Sequence, residues 1–185
     1  MNVLTQLSRM LRQSVDVMFH PNVRTFNYYS VRASDSETLL YVTVGATLVG
    51  LLNSLVFRNF DVIGLAYAIL NQLFQFYIFA GIAYFVGRQF GGMGSFPTVA
   101  YTFALFYVPL LVLISALTLV LILLRVSLPP LWLLPLVQLV ALAFYAYQAV
   151  QAALYLRRPR DAALTVLISL AVLWLIQLIF RQSML

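Results

Sequence analysis

At 185 residues, 63% hydrophobic and 9% charged, the chain is too apolar for a soluble domain. Such a domain carries about 25% charged residues and at this size buries only part of its surface, so the chain reads as an all-α integral membrane protein. All 11 cationic residues are Arg and the net charge is +6; they lie scattered in short loops, where they act as topology signals, and no nucleic-acid partner is expected.

There is no cysteine, which excludes thiol chemistry, disulfides and Cys metal sites. The single histidine, His20, cannot make a metal site alone. It could ligate a haem or a chlorophyll-type pigment, but it precedes Pro21 at a helix end, where local capping or plain exposure is the simpler role. The first 20 residues lack the continuous apolar core and cleavage site of a secretory signal.

Residues 1–33 read as an amphipathic helix and a connector, and residues 34–185 as a five-helix bundle. In residues 1–19, Leu4, Leu7, Leu11, Val15 and Met18 share one face at 100° per residue, with Val3, Met10 and Val17 beside them. Arg9, Arg12, Gln13 and Asp16 take the opposite face, and Ser14 is the one polar residue in the apolar arc. Two roles fit this helix: lying in the membrane interface, or packing on the bundle or a partner. His20-Pro21 ends it, and residues 22–32 read as a polar, tyrosine-bearing connector. Ser34 and Glu37 have the spacing of a capping box.

The spans are expected at about 39–57, 62–87, 99–124, 131–156 and 162–180. The outer two match the roughly 20 residues a bilayer core needs; the middle three must tilt, kink or project, with Pro109 and Pro135 as candidate kinks. Short connectors make successive spans antiparallel. Arg9, Arg12, Arg24, Arg32, Arg88, Arg157, Arg158 and Arg160 then fall on one side, and Arg58, Arg125 and Arg181 on the other. The positive-inside rule puts the N-terminus in the cytoplasm and the C-terminus outside.

No ionisable Asp, Glu, Lys, Arg or His lies inside an assigned span. This argues against proton relays and voltage sensing, which need intramembrane charge, and against most intramembrane hydrolysis. Neutral polar residues remain: Asn71, Gln72 and Gln75 on the second span and Gln148 on the fourth form a candidate polar site for a ligand or headgroup. The plainer reading is interhelical hydrogen bonding at roughly 0.6 kcal/mol each. Small residues recur four apart at Ala46/Gly50, Ala83/Gly87 and Ala149/Ala153, a spacing that lets helices approach. Tyr84, Tyr101 and Tyr155, with Trp132 at the other side, suggest interfacial belts. Tyr145 and Tyr147 lie deeper and need partners; they could line a lipid or pigment groove, though no cofactor is predicted.

Between the second and third spans runs Gly87-Arg88-Gln89-Phe90-Gly91-Gly92-Met93-Gly94-Ser95-Phe96. It resembles the cytoplasmic connector of bacterial members of the Yip (Ypt-interacting protein) domain family. There a Gly-Gly-x-Gly-Ser-Phe run leads into a span with a proline, here Pro109. Pro21 with Phe26 is similar to that family's entry motif, and Leu156-Arg157-Arg158-Pro159-Arg160-Asp161-Ala162-Ala163 to its basic turn before the last span. The resemblance covers roughly residues 20–180. It implies five spans with a cytoplasmic N-terminus and a bacterial cytoplasmic (inner) membrane location. Eukaryotic members are linked to Rab/Ypt GTPases, but their Asp-Leu-Tyr-Gly-Pro segment is absent here, and the resemblance carries no catalytic residues.

The expected function is that of a non-enzymatic scaffold or accessory subunit of a larger membrane complex, a photosynthetic or respiratory one among the candidates. Its expected partners are membrane lipids and other membrane-protein subunits. The alternatives are a small carrier or channel for a neutral or lipidic molecule, using Asn71, Gln72, Gln75 and Gln148, and membrane shaping by the N-terminal helix.

Overall fold

The structure, a computed structural model, describes residues 3–57, 60–125 and 128–182, leaving aside the side chains of residues 57, 128–132 and 179–182. Arg58 and the side chains of Trp132 and Arg181, all used in the sequence reading, lie outside this description.

Seven helices account for nearly all the described residues: α1 Val3–Phe19, α2 Val23–Ser30, α3 Asp35–Phe57, α4 Val62–Gln89, α5 Phe96–Leu123, α6 Leu128–Ala153 and α7 Pro159–Gln182. The last five are long and apolar enough to cross a membrane, matching the five expected spans. The fold is an all-α bundle of five spanning helices preceded by a two-helix arm.

Local chemistry explains the starts. Asp61 caps α4 through both carboxylate oxygens, accepting from the Ile63 and Gly64 amides. Ser95 caps α5 by accepting from Thr98 N–H, with Pro97 in the first turn, where a missing amide costs nothing. α6 begins at Leu128, earlier than expected, because Pro129 and Pro130 fit that first turn rather than a connector. Its end is also earlier, at Ala153: Tyr155 has φ 55°, outside the helical region.

Two local expectations are corrected. The connector expected at 22–32 contains α2, which Asn22 starts by accepting from Thr25 N–H at 2.9 Å. Glu37 does not turn back to close a capping box; it forms an ion pair with Arg9 of α1. α3 still starts at that place, the Ser34 carbonyl accepting from Thr38 N–H at 3.0 Å.

α5 is the central helix, touching α1, α2, α3, α4 and α6, while α7 closes the outside against α4 and α6. Its residues Val99–Val108 are buried without a break, as expected for a helix apolar on all sides and surrounded by neighbours. Rings continue the packing outward: Phe103 meets Phe79 of α4 at 5.1 Å, and Phe106 stacks on Tyr145 of α6 at 5.9 Å. The small residues sit in these contacts. Ala46, Ala83, Ala149 and Ala153 are buried, and a Cβ on Gly45 would come within 2.4 Å of Val108.

Candidate functional site

The chemistry-bearing side chains gather at one end of the bundle, called here the arm end. It comprises α1, α2, the start of α3, the α4–α5 connector and the α6–α7 turn. The arm does not lie loosely on it. Tyr101 of α5 donates to Gln13 Oε1 at 2.6 Å, and Tyr41 of α3 donates to Ser14 Oγ at 2.8 Å. Tyr29 of α2 donates to Asp16 Oδ2 at 2.8 Å, and Tyr145 of α6 donates to the Met18 carbonyl at 2.9 Å. Four tyrosine hydroxyls from four helices thus clamp consecutive turns of α1, and the Arg9–Glu37 ion pair holds its first half. Phe26 of α2 is fully buried and meets Phe106 edge-on at 6.1 Å, so the arm also has an apolar root in the core.

This arrangement divides the expected apolar face of α1. Met10, Gln13, Ser14 and Val17 are buried against the bundle. Leu7 and Met18 pack partly against the core. Leu4, Leu11, Val15 and Phe19 remain exposed, Leu11 at 55% and Phe19 at 77%. The helix therefore both packs on the bundle and presents an apolar row outward. Gln13, read as part of the polar solvent face, is instead buried under Tyr101. Tyr101, read as a belt residue, is wholly inside. Ser14 was the available signal, since a lone hydroxyl in an apolar arc needs a buried partner. The tyrosines that supply these partners lie 13 to 127 residues away along the chain, too far for any local pattern to pair.

Outside the spans, the Tyr29 phenol is pushed up to about 12, by burial first and then by the Asp16 carboxylate. His20 is exposed and its Nδ1 lies 3.1 Å from Asp16 Oδ1.

The glycine connector is a tight turn docked on the end of α6. Gly91 has φ 84°, which only glycine adopts at little cost. Gly92 N–H bonds the Gly87 carbonyl at 2.9 Å, and Met93 N–H bonds the Leu154 carbonyl at 3.0 Å. A Cβ on Gly94 would fall 1.8 Å from the Ala153 carbonyl oxygen, and one on Gly87 2.2 Å from Leu154. Ser95 is the α5 cap. The connector and the α6–α7 turn border a groove of about 450 Å³, with Met93, Tyr155, Arg157, Arg158 and Asp161 on its walls. A second groove of about 390 Å³ lies between α1 and α2, with Arg9, Arg12, Arg32 and Tyr28 on its walls.

The polar residues within the spans point to different neighbours. Gln72 donates to Tyr107 of α5 at 2.8 Å. Gln75 accepts from Gln177 of α7 at 3.2 Å. Asn71 is exposed on α4, and Gln148 is half-buried on α6. Among the described residues no buried side-chain nitrogen or oxygen lacks a hydrogen-bond partner, and no three His, Cys, Asp or Glu side chains come together.

Five apolar spanning helices, joined by short turns and carrying a docked two-helix arm, define a small multi-pass membrane protein. The family model of the Yip1 domain matches residues 15–180. The chain belongs to the Yip1 domain family. No curated protein and no solved structure matches it.

Proposed function

We propose that this member of the family is a non-enzymatic membrane scaffold, an accessory subunit that works by binding other components of the membrane, with its arm end in the cytoplasm. One observation carries the proposal. The central helix α5 is covered on all sides through Val108, yet beyond Pro109 it exposes Leu113, Leu117 and Val120 on one face. These residues are four and three apart, so they form a single stripe. A closed five-helix bundle would cover its central helix along its whole length. An open stripe on that helix suits an apolar helix from another subunit. The orientation is supported by arginines: Arg9, Arg12, Arg24, Arg32, Arg88, Arg157, Arg158 and Arg160 all belong to the arm end.

Extraction of native membranes in a mild detergent tests this. A particle larger than the chain or its homo-oligomer is expected, with stoichiometric partner chains identified by mass spectrometry. Leu117→Trp should release those partners without unfolding the bundle. Recovery of the chain alone, or only with copies of itself, would sink the proposal.

A second reading, membrane shaping, is favoured by the outward row Leu11, Val15 and Phe19 on α1. It predicts that Leu11→Asp weakens a curvature effect in reconstituted vesicles; an unchanged effect counts against it. The carrier reading has less support, because Gln72 and Gln75 each bond a neighbouring helix.

A further inference from the structure

We infer that the groove between α1 and α2 is a binding site for the phosphate headgroup of an anionic membrane lipid. The site stands on its own geometry and does not depend on the scaffold proposal.

The first argument is charge. Three guanidinium groups, Arg9, Arg12 and Arg32, line a cavity of about 390 Å³, and no carboxylate lines it. Glu37 neutralises Arg9, and Asp16 is engaged by Tyr29 and His20. Arg12 and Arg32 make no ion pair among the described residues. Two uncompensated planar cations facing one cavity suit a phosphate, which arginine contacts through two parallel hydrogen bonds. The Tyr28 hydroxyl lines the same cavity and supplies a neutral donor, while the Ser8 hydroxyl beside it donates to the Thr5 carbonyl at 3.0 Å.

The second argument is preorganisation. Three of the residues on its walls are fixed from outside the groove. Gln13 is held by Tyr101, Tyr29 by Asp16, and Arg9 by Glu37, while the Arg32 guanidinium rests over the Tyr28 ring at 5.2 Å. A site whose walls are already ordered loses less entropy on binding.

The third argument selects a lipid rather than a free anion. On α1, Arg12 lies next in sequence to Leu11 and so 100° round the helix from it. Beside that cationic edge runs the exposed row Leu11, Val15 and Phe19. A lipid would place its phosphate in the groove and its acyl chains along that row, as an interfacial helix does. A free phosphate would leave the row unused.

The test uses the purified full-length protein in detergent micelles, with phosphatidylglycerol and phosphatidylcholine of identical acyl chains, and native mass spectrometry to count retained lipid. The wild-type chain should retain phosphatidylglycerol roughly tenfold better, the scale of one or two charge-assisted contacts. Arg12→Gln with Arg32→Gln should bring the two lipids to parity. Arg157→Gln with Arg158→Gln, which removes the same charge from the other groove, should keep the preference. If the double variant at the groove does not fold, Arg12→Gln alone should give the same fall at smaller size. Equal retention of both lipids by the wild-type chain would overturn the inference. So would an equal loss in the Arg157/Arg158 variant, which would make the effect one of general charge. Inorganic phosphate displacing phosphatidylglycerol from the groove, with no lipid preference left in its presence, would reassign the site to a free anion.

Discussion

The two halves of this bundle are built differently although their helices are the same. In the arm half, α5 is enclosed by five neighbours, rings interlock from α2 through α5 to α4 and α6, and glycines are pressed against backbone. In the far half, the same α5 exposes Leu113, Leu117 and Val120, and α6 exposes Leu133, Leu136, Val137 and Val140. Hydropathy is no guide to this difference, because both halves are apolar. The difference lies in what reaches α5. The α1–α2 arm adds two helices to the arm half alone, and four tyrosine hydroxyls and the Arg9–Glu37 ion pair hold it there. Apolar surface alone gives membrane helices little reason to associate, since lipid is as apolar as leucine; close packing and hydrogen bonds decide it.

The largest effects should separate the halves directly. Phe106→Ala removes a ring that touches Phe26, Phe103 and Tyr145. It should cost about 3–5 kcal/mol, read as unfolding in detergent. Leu117→Ala, on the exposed stripe, should cost under about 1 kcal/mol, because only exposed surface changes. Equal losses would mean the far half is as closely packed as the arm half. Next in size is Gly94→Ala. Its Cβ would meet the Ala153 carbonyl oxygen, a backbone atom that cannot swing aside, and the cost should be about 1–3 kcal/mol. Gly81→Ala meets nothing within 4 Å and should instead gain about 0.5–1 kcal/mol.

The same comparison marks what was readable from the chain. The five spans were legible because long apolar runs report the membrane directly, and the Gly87–Phe96 stretch announced a close turn. The division of α1 was not. Periodicity ranks faces by hydrophobicity: it puts Leu11 on an apolar face that fits either the membrane interface or a packing partner, and Gln13 on the opposite polar face. The structure leaves Leu11 outward, as the interfacial role allows, but buries Gln13, because a tyrosine 88 residues away supplies its side chain with a donor. α2 was missed because its eight residues carry only Phe26 as a strong apolar anchor. The polar residues Asn71, Gln72 and Gln75 were visible, but which neighbour each would meet depends on helix rotation, which composition does not encode.

Smaller effects probe the clamp. Tyr101→Phe leaves Gln13 Oε1 buried without its donor and should cost about 1–3 kcal/mol. Hydrogen exchange should then speed up along α1 and not in the far half of α5; uniform acceleration would mean the arm and bundle unfold as one unit. Tyr29→Phe removes a half-buried bond and should cost about 1 kcal/mol. The Tyr29 phenol is raised above its ordinary value of 10.0, so its contribution is present below pH 10 and is lost as pH rises toward about 12. Arm release, followed by proteolysis at alkaline pH, should begin in that window in the wild-type chain and lose its dependence there in Tyr29→Phe.

The smallest effect compares two helix ends, one in each half. Arg125 after α5 has φ 52°, and Tyr155 after α6 has φ 55°. A left-handed residue other than glycine costs roughly 1–2 kcal/mol, and replacing it with glycine returns roughly 0.5–1 kcal/mol of that to unfolded-chain entropy. Arg125→Gly should therefore stabilise the protein by about 0.5 kcal/mol. Tyr155→Gly has the same backbone gain, but it also removes a ring from the groove beside Met93, Arg157 and Arg158. If the ring only faces solvent, the two substitutions should give equal gains in thermal unfolding. A smaller gain, or a loss, at Tyr155 would show that the arm half retains its strained residue for the side chain it positions, while the far half holds its own by geometry alone.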